Sequence, residues 1–468
     1  MSRGAERTID ADVGIVGAGP GGMAAALELS RAGLTVAVLD EGSRTGGQIF
    51  RQQAEGLAAR GRLAEPPSHE EGHHLVHELG EAPVQVVHGA TVWDAKPGRL
   101  WFERDGASWL LRCQRILLAP GAYDRCIPFP GWTLPGVVTA GAAQVMVRGF
   151  GLRPGTRALV AGSGPLLLPT VTALLSAGVE VVEALEAAPR SAMFRALPGV
   201  IGNAARLREA AYYLKALLRS GKRLRWGWTV FGVEGDGRVE RATIGRLDAS
   251  GAPIRSTART IDVDLVCAGF GLVPAVELAA LLGCELEWNP LRGGWTTKVD
   301  EQQATTVAGV YAAGEIAGIG GAEVAMAQGR LAAAAIVRAV HGRQVAPRTL
   351  ARARSERRSA DAMLRAFPVR EGWFALADAS TVVCRCEDVS YDKLGKAAAI
   401  HGADGRGIKM GCRAGMGPCQ GRICGPSLQA LACRAVGAPC TGAPMDRPAV
   451  QMPVKPVRTA TFLDAPQG

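Results

Sequence analysis

The chain has 468 residues, 48% of them hydrophobic and 21% charged. It therefore has the apolar material for a sizeable core spread over about three domains, and is not globally disordered. The net charge of +10 is mild and scattered, with neither the patch nor the arm that a nucleic-acid binder concentrates its charge in. No apolar run reaches the ~18–20 residues that span a bilayer. The polar start, Met1 to Asp10, runs straight into an apolar strand and does not read as a secretory signal. A cytoplasmic location is expected. The eleven cysteines are then reduced thiols or metal ligands by default, and seven of them crowd between Cys384 and Cys440.

In chain order, Asp12–Val16 is a short strand, Gly17 to Gly22 a tight turn, Met23–Ala32 an amphipathic helix and Leu34–Leu39 the next strand. That is a βαβ unit of ~30 residues. A further strand, Arg115–Ala119, ends at Pro120-Gly121. The pattern restarts at Arg157–Ala161, with a turn at Gly162-Ser-Gly-Pro165 and a helix from Leu166. Two such openings imply two dinucleotide-type domains. Leu265–Ala268 and Gly309–Ala313 are buried strands, the latter followed by an Ala-rich helix to about Val340. The basic stretch 346–375 reads as a solvated, irregular linker. Residues 380–436 form a Cys-rich module. The Pro-rich tail 437–468 reads as extended, either disordered or draped on a partner.

Gly17, Gly19 and Gly22 satisfy G-x-G-x-x-G. The first permits the turn out of the strand, the second lets backbone approach a pyrophosphate, and the third lets the helix pack close to the sheet. The helix N-terminus adds free N–H groups for phosphate. Asp40 lies 18 positions after Gly22 at the strand end, where a ribose-binding carboxylate belongs; the adjacent Glu41 is the alternative. Later segments resemble the remaining parts of a two-dinucleotide flavoprotein. Gly46-Gly47-Gln48 resembles its Gly-Gly segment, Ala119-Pro120-Gly121 its strand-end Ala-Thr-Gly, and Val310 to Gly314-Glu315 its late strand, whose acid binds the flavin ribityl chain. The resemblance thus implies cofactor contacts at Gly47, Gln48, Gly121, Gly314 and Glu315.

The second glycine motif is damaged. Gly162 and Gly164 are present, but Leu167 stands at the third position, and Glu183 and Glu186 follow where an Arg would select a 2′-phosphate. The expectation is a retained fold without its NAD(P). No C-x-x-C occurs in residues 1–340, so a redox dithiol there is unsupported. His69-Glu70-Glu71-Gly72-His73 matches the zinc-protease pattern H-E-x-x-H. Ser68 and Glu71 make a capping box instead, Gly80 a helix stop, and the segment sits inside the first domain, so an ordinary helix is the stronger reading.

Cys384-Arg-Cys386, then 32 residues, then Cys419 to Cys424 with four between, supplies two close thiolate pairs. Such a set suits tetrahedral zinc or a [2Fe–2S] cluster. Iron is favoured, because a flavin benefits from a one-electron carrier and the loop Arg413–Pro418 offers N–H groups to cluster sulfurs. Cys412 is a neighbour; Cys433 and Cys440 have no assigned role.

The module resembles the bacterioferritin-associated-ferredoxin-like [2Fe–2S] domain through Cys384-Arg-Cys386-Glu387-Asp388 and Arg413 to Cys424. With Gly121 to Arg125, Pro128 to Trp132, Leu134 to Val137 and Gly269-Phe-Gly271, the chain resembles the alpha subunits of heteromeric amino-acid dehydrogenases of the opine oxidase, D-hydroxyproline dehydrogenase and hydrogen cyanide synthase type. The resemblance implies an α/β fold. Residues 1–150 and 255–345 form a discontinuous FAD-type Rossmann domain, 151–254 a degenerate NAD(P)-type one, 346–379 a linker, 380–436 the [2Fe–2S] domain and 437–468 a tail. It implies FAD or another adenine nucleotide in the first site, a [2Fe–2S] cluster on Cys384, Cys386, Cys419 and Cys424, and FMN at a subunit interface. The implied partners are a D-amino-acid-oxidase-type flavoprotein beta subunit, which holds the amino-acid substrate, and a small gamma subunit; the electron acceptor could draw the complex to a membrane surface. The implied activity is electron transfer during oxidation of a secondary-amine amino acid. A stand-alone NAD(P)H-dependent FAD/[2Fe–2S] reductase is the alternative. No residue stands out as a catalytic acid or base.

Overall fold

Apolar runs between glycine turns build one mixed and one parallel sheet in the computed structural model, which describes residues 7–53, 66–67, 69–201, 203–438 and 451–466. Strand β1 (Thr8–Val16) enters the first glycine turn. Helix α1 (Pro20–Arg31) starts on Pro20, where a missing N–H is tolerated. β2 (Val36–Asp40) returns parallel to β1 with Val13 opposite Val36. After α2 (His69–Glu81) and β3 (Gln85–His88), the strands β4 (Thr91–Lys96), β5 (Arg99–Arg104) and β6 (Ala107–Leu118) fold as an antiparallel meander. The sheet order is β3-β2-β1-β6-β5-β4. The length of β6 decides the architecture: its first half pairs with β5, and its end pairs with a strand from much later in the chain.

β7 (Ala122–Asp124) leads to the second unit: β8 (Val137–Thr139), α3 (Ala140–Gln144), a π-turn at Val145–Gly149, β9 (Arg157–Gly162), α4 (Leu167–Ser176), β10 (Glu180–Glu186), α5 (Ser191–Val200), α6 (Ala204–Arg219) and β11 (Leu224–Trp226). An antiparallel sheet of β12 (Trp228–Glu234), β13 (Arg241–Arg246) and β14 (Arg259–Asp262) precedes β15 (Leu265–Gly269). The second parallel sheet runs β11-β10-β9-β15-β8. Val137–Thr139 and Leu265–Gly269, expected in the first domain, therefore belong to the second. The true crossing is β7 with β16 (Leu272–Pro274), paired antiparallel with Ala122 opposite Pro274. Sequence periodicity does not register such a two-strand bridge.

The chain then returns through α7 (Glu277–Leu281), β17 (Leu286–Asn289), β18 (Gly294–Thr297) and β19 (Val310–Ala312), which completes the first sheet beside β6. α8 (Ala322–His341) crosses α1 with the backbones nearly touching: a Cβ at Gly329 would overlap Gly21 O. Between these helices and the sheet lies a core of Val13, Ile15, Met23, Leu29 and Ile336. Among the described residues no helix is long and apolar enough to cross a membrane.

The expected linker is in fact α9 (Pro347–Leu364). Arg357 is largely buried and donates to the carbonyls of Gly318 and Ile319, both at 2.7 Å. Asp361 takes a two-pronged bond from Arg292, at 3.1 and 2.7 Å. The helix is thus held by buried charged contacts, which composition alone cannot show. The Cys-rich module follows, with β20 (Val382–Cys384), β21 (Val389–Ser390), α10 (Tyr391–His401), α11 (Gly405–Cys412) and α12 (Gly425–Ala435). It shares one core with the second unit, where Phe231, Phe270 and Trp373 meet Leu394, Leu428 and Leu431. The described part of the tail lies on this chain's own first unit. Val454 N donates to Trp93 O at 2.9 Å, and Phe462, on α13 (Thr459–Leu463), stands edge-on to Trp93 with centroids 5.0 Å apart. Phe462→Ala should destabilise the fold by about 2 kcal/mol, below the range for a fully buried Phe. A lowered melting temperature with unchanged nucleotide content would show it.

Candidate functional site: a nucleotide cradle and a cysteine loop

At the first turn Gly17 has φ +102°, and a Cβ there would overlap Ala119 O at the end of β6. A Cβ on Gly22 would overlap Gly17 O, and one on Gly47 (φ +62°) would lie 2.8 Å from Gly19 Cα. Only glycine fits this nested cradle, which leaves backbone N–H groups at the start of α1. Asp40 faces the turn: Oδ2 accepts from Ala18 N at 2.5 Å and Oδ1 from Gly42 N at 2.8 Å. Glu41 is exposed and ion-paired with Lys455 of the tail. Gln48 accepts from Arg51. Gly121 has φ +85° and open space beside it. Gly314 N donates to the buried Gln328 at 2.9 Å. Glu315 oxygens accept from Gly320 N at 2.9 Å and Gly321 N at 2.8 Å, at the entry to α8. Burial pushes its carboxyl up.

Sequence reasoning missed a pair of arginines. Arg51 Nε, and Arg148 Nε and Nη1, are buried without a hydrogen-bond partner. Arg51 packs against Gly149, the residue after Arg148: a Cβ there would lie 2.6 Å from Arg51 Cδ. Arg148 sits on the π-turn, a geometry frequent at functional sites. Orphaned buried guanidinium N–H groups are costly and point to an anion. The available signal was Arg51's place three residues after Gln48, the last residue of the Gly46-Gly47-Gln48 turn; a lone Arg148 carries none.

The four cysteines of the two pairs converge. Cys424 and Cys384 sulfurs are 3.8 Å apart, and Cys419 interacts with the thiols of both Cys424 and Cys386. The Cys424 thiol pulls Cys384 down to about 6, helped by N–H groups of Gly415 and Glu387. It pulls Cys419 down to about 4, helped by N–H groups of Ile423 and Gly421. Cys424 is itself raised. Left-handed backbone at Arg413, Gly415, Gln420 and Gly421 turns these N–H groups inward. Four converging thiols, two of them lowered, with backbone donors around them fit an iron–sulfur cluster. Among the described residues no group of three or more His, Cys, Asp or Glu is arranged to hold a single metal ion. Cys412 donates to Ile408 O at 3.2 Å and faces its own helix. Cys440 and Ser68 lie outside the described residues. In the H-E-x-x-H segment, His69 is buried edge-on against Phe50 and Glu71 pairs with Arg330 at 3.0 Å, as in an ordinary helix.

The cysteine loop is docked on the strand that leaves the nucleotide cradle. Arg422 lies 3.3 Å from Glu277 on α7, donates to Cys419 O at 3.2 Å and interacts with Tyr123 on β7. Ser427 Oγ donates to Cys126 O at 2.7 Å. Burial raises Glu277, with Arg422 opposing.

Residues 11–329 match the family model described as pyridine nucleotide-disulphide oxidoreductase. The chain belongs to that family. It is 33% identical to the A subunit of opine oxidase from Agrobacterium tumefaciens (strain Ach5), across 97% of this chain and 92% of that one. It is 33% identical to hydrogen cyanide synthase subunit HcnB of Pseudomonas aeruginosa, across 88% and 90%. The crystal structure of L-proline dehydrogenase from P. horikoshii shares the fold, with a TM-score of 0.70 at 21% identity, covering 98% of this chain and 80% of that one. The chain is thus an oxidoreductase, and its family takes FAD or a related nucleotide.

The second turn is tightly packed. A Cβ at Gly162 would overlap Gly269 O, Leu167 is 1% exposed, and Gly164 faces Phe367 beyond α9. Glu186 Oε2 accepts from Gly164 N at 2.9 Å and Oε1 from Ala188 N at 2.8 Å. Glu183 instead faces outward to Arg225 and Arg259. Burial pushes Glu186 from 4.5 up to about 7, against those N–H donors.

Two outcomes follow. Between pH ~4.5 and ~7 the folded chain keeps a Glu186 proton that the unfolded chain releases, so stability falls as pH rises through that window, by about 3 kcal/mol at most. Glu186→Gln should flatten the pH dependence there in denaturant titrations. Arg422→Met should cost about 3 kcal/mol by leaving Glu277 buried and unpaired. The double variant with Glu277→Gln should recover much of that loss, and strict additivity in unfolding experiments would contradict the pairing.

Proposed function

We propose that the chain is the electron-transferring alpha subunit of a heteromeric flavin-dependent dehydrogenase or oxidase. The substrate is a secondary-amine amino acid, such as an opine, a hydroxyproline or proline. It is oxidised on a D-amino-acid-oxidase-type beta subunit, and a small gamma subunit completes the assembly. The observation that carries this reading is that Arg422 fixes the cysteine loop to β7, which starts at the residue after Gly121 of the nucleotide cradle. The names of the opine oxidase and hydrogen cyanide synthase relatives, each one subunit of its enzyme, support a multi-subunit assembly.

Gly17, Gly19, Gly22, Asp40, Gly47, Gln48, Gly121 and Gly314 would hold FAD or another adenine nucleotide. Cys384, Cys386, Cys419 and Cys424 would hold a [2Fe–2S] cluster. When bound, a flavin takes electrons in pairs and releases them singly, and the cluster carries one at a time. The chain's own part is to bind and orient. Asp40 keeps lone pairs for ribose hydroxyls while its N–H contacts fix the turn. N–H groups of Gly415, Glu387, Gly421 and Ile423 hold thiolate at Cys384 and Cys419. Arg51 and Arg148 offer unpaired donors suited to the phosphate of an FMN at the boundary with the beta subunit.

The test is anaerobic spectroscopy of the chain alone and co-expressed with the beta subunit. N-substituted amino acids should bleach the visible spectrum of the complex only. Cys419→Ser should abolish the cluster's visible and electron paramagnetic resonance signals without lowering the extracted adenine nucleotide, and Arg148→Met should deplete FMN from the complex. Bleaching of the lone chain by NADH or NADPH would overturn this reading in favour of a stand-alone reductase.

A further inference from the structure

The described part of the tail carries one lysine, Lys455, and the fold seats it between two carboxylates. Lys455 is ion-paired with Glu41, the residue between Asp40 and Gly42. It also acts on Glu277: burial raises that carboxyl, and Arg422, a backbone N–H and Lys455 oppose the rise. The neighbouring Val454 shows how one side chain reaches both. Val454 is 4% exposed, and it shares a core with Leu39, which precedes Asp40, and with Val276 and Leu278, which flank Glu277.

Each carboxylate belongs to one end of the chemistry. Glu41 lies in the turn that carries the ribose acid. Gly42 N donates to Asp40 Oδ1 at 2.8 Å, Ala90 N to Asp40 O at 2.9 Å and Gly89 N to Gly42 O at 3.1 Å; Lys455 anchors the same turn from the tail. Glu277 faces Arg422 at 3.3 Å, and Arg422 Nη1 donates to Cys419 O at 3.2 Å. Tyr123 lies within reach of both ends. Burial raises its phenol, Glu277 adds to the rise, Arg422 opposes it and Glu41 adds again. Lys455, Glu41, Glu277 and Arg422 are therefore one connected group of charges rather than two separate pairs. The side chains of Arg422 and Glu277 are only 9% and 20% exposed, so the field of Lys455 reaches the cysteine loop through protein, which weakens it less than water does.

We propose that Lys455 is a positioning residue for both cofactor sites. It holds the Asp40–Gly42 turn in its ligand-binding form, and through Glu277 and Arg422 it sets the electric field at the cysteine loop. The tail thereby couples retention of the nucleotide to the reduction potential of the cluster. This rests on the cofactor reading above.

The test uses the full chain as purified with its cofactors, and two quantities are read. One is exchange of the bound adenine nucleotide against added ADP, by chromatography of what is released. The other is the midpoint potential of the cluster, by redox titration followed with electron paramagnetic resonance. Lys455→Gln and Glu41→Gln should each speed exchange about two- to fivefold, the range for a partly exposed ion pair. The double variant should be no faster than the faster single one. The potentials should move in opposite directions. Losing Lys455 removes a positive charge and lowers the potential, whereas losing Glu41 leaves Lys455 unopposed and raises it. A tail that only loosened would shift both the same way. Lys455→Arg should keep both wild-type values. Lys298→Gln, which removes the same charge from an exposed pair with Glu285, should move neither. Shifts of the same sign, or either quantity unmoved in Lys455→Gln, would overturn the coupling and leave the cofactor reading standing. A wild-type chain that holds no adenine nucleotide, or gains no [2Fe–2S] spectrum on anaerobic reconstitution, would overturn both.

Discussion

One buried guanidinium joins the two ends of the molecule's chemistry. Arg422 reaches Glu277 and Tyr123 from within the loop that carries Cys419 and Cys424. Its Nε approaches Glu277 at ion-pair distance without hydrogen-bond geometry, so the contact is chiefly electrostatic. Such a buried pair adds little net stability, yet displacing either member leaves a charge stranded in low dielectric. The loop is thereby confined to one seat on β7. Everything that depends on its distance from the cradle, the shared core of Phe270, Trp373 and Leu428 included, is consistent with that seat.

Asp40 and Glu186 show how one fold gives two outcomes. Each stands at the end of the second strand of its unit and turns its carboxylate onto its own glycine turn. Asp40 remains partly exposed and keeps spare lone pairs beside the first turn. Glu186 is 1% exposed, and Phe367 covers the turn it serves. The difference lies in the segment after α9, which packs on α5 and closes the second site from outside.

What was legible in the sequence was whatever a local constraint dictates. Gly17 needs φ +102° beside Ala119 O, and only glycine supplies it, so the motif and its strand and helix could be read directly. The convergence of Cys384, Cys386, Cys419 and Cys424 was likewise legible in paired spacing. What stayed hidden depends on contacts distant in sequence. Arg357 looks like surface until its partners, the carbonyls of Gly318 and Ile319, are brought against it. β8 is three residues long and is a strand only because β15 lies beside it. Phe462 is a tail residue until Trp93 receives it. Arg148 belongs to no spacing pattern, and its significance lies in the acceptors its Nε and Nη1 lack.

The cysteine loop shows why those missing partners matter. Around Cys384 and Cys419 the stabilising groups are the Cys424 thiol and then backbone N–H donors, and the nearby Glu387 carboxylate pairs with Arg413 at 2.7 Å. Fixed amide dipoles favour negative charge on sulfur without a mobile cation, so the loop satisfies its own electrostatics. Arg51 Nε and Arg148 Nε and Nη1 do not: these donors are buried without a partner, although Arg51 Nη2 reaches Gln48. Asp361 with Arg292 and Glu277 with Arg422 are buried ion pairs, whereas Nε and Nη1 of Arg148 have no acceptor, and an anion there would supply one.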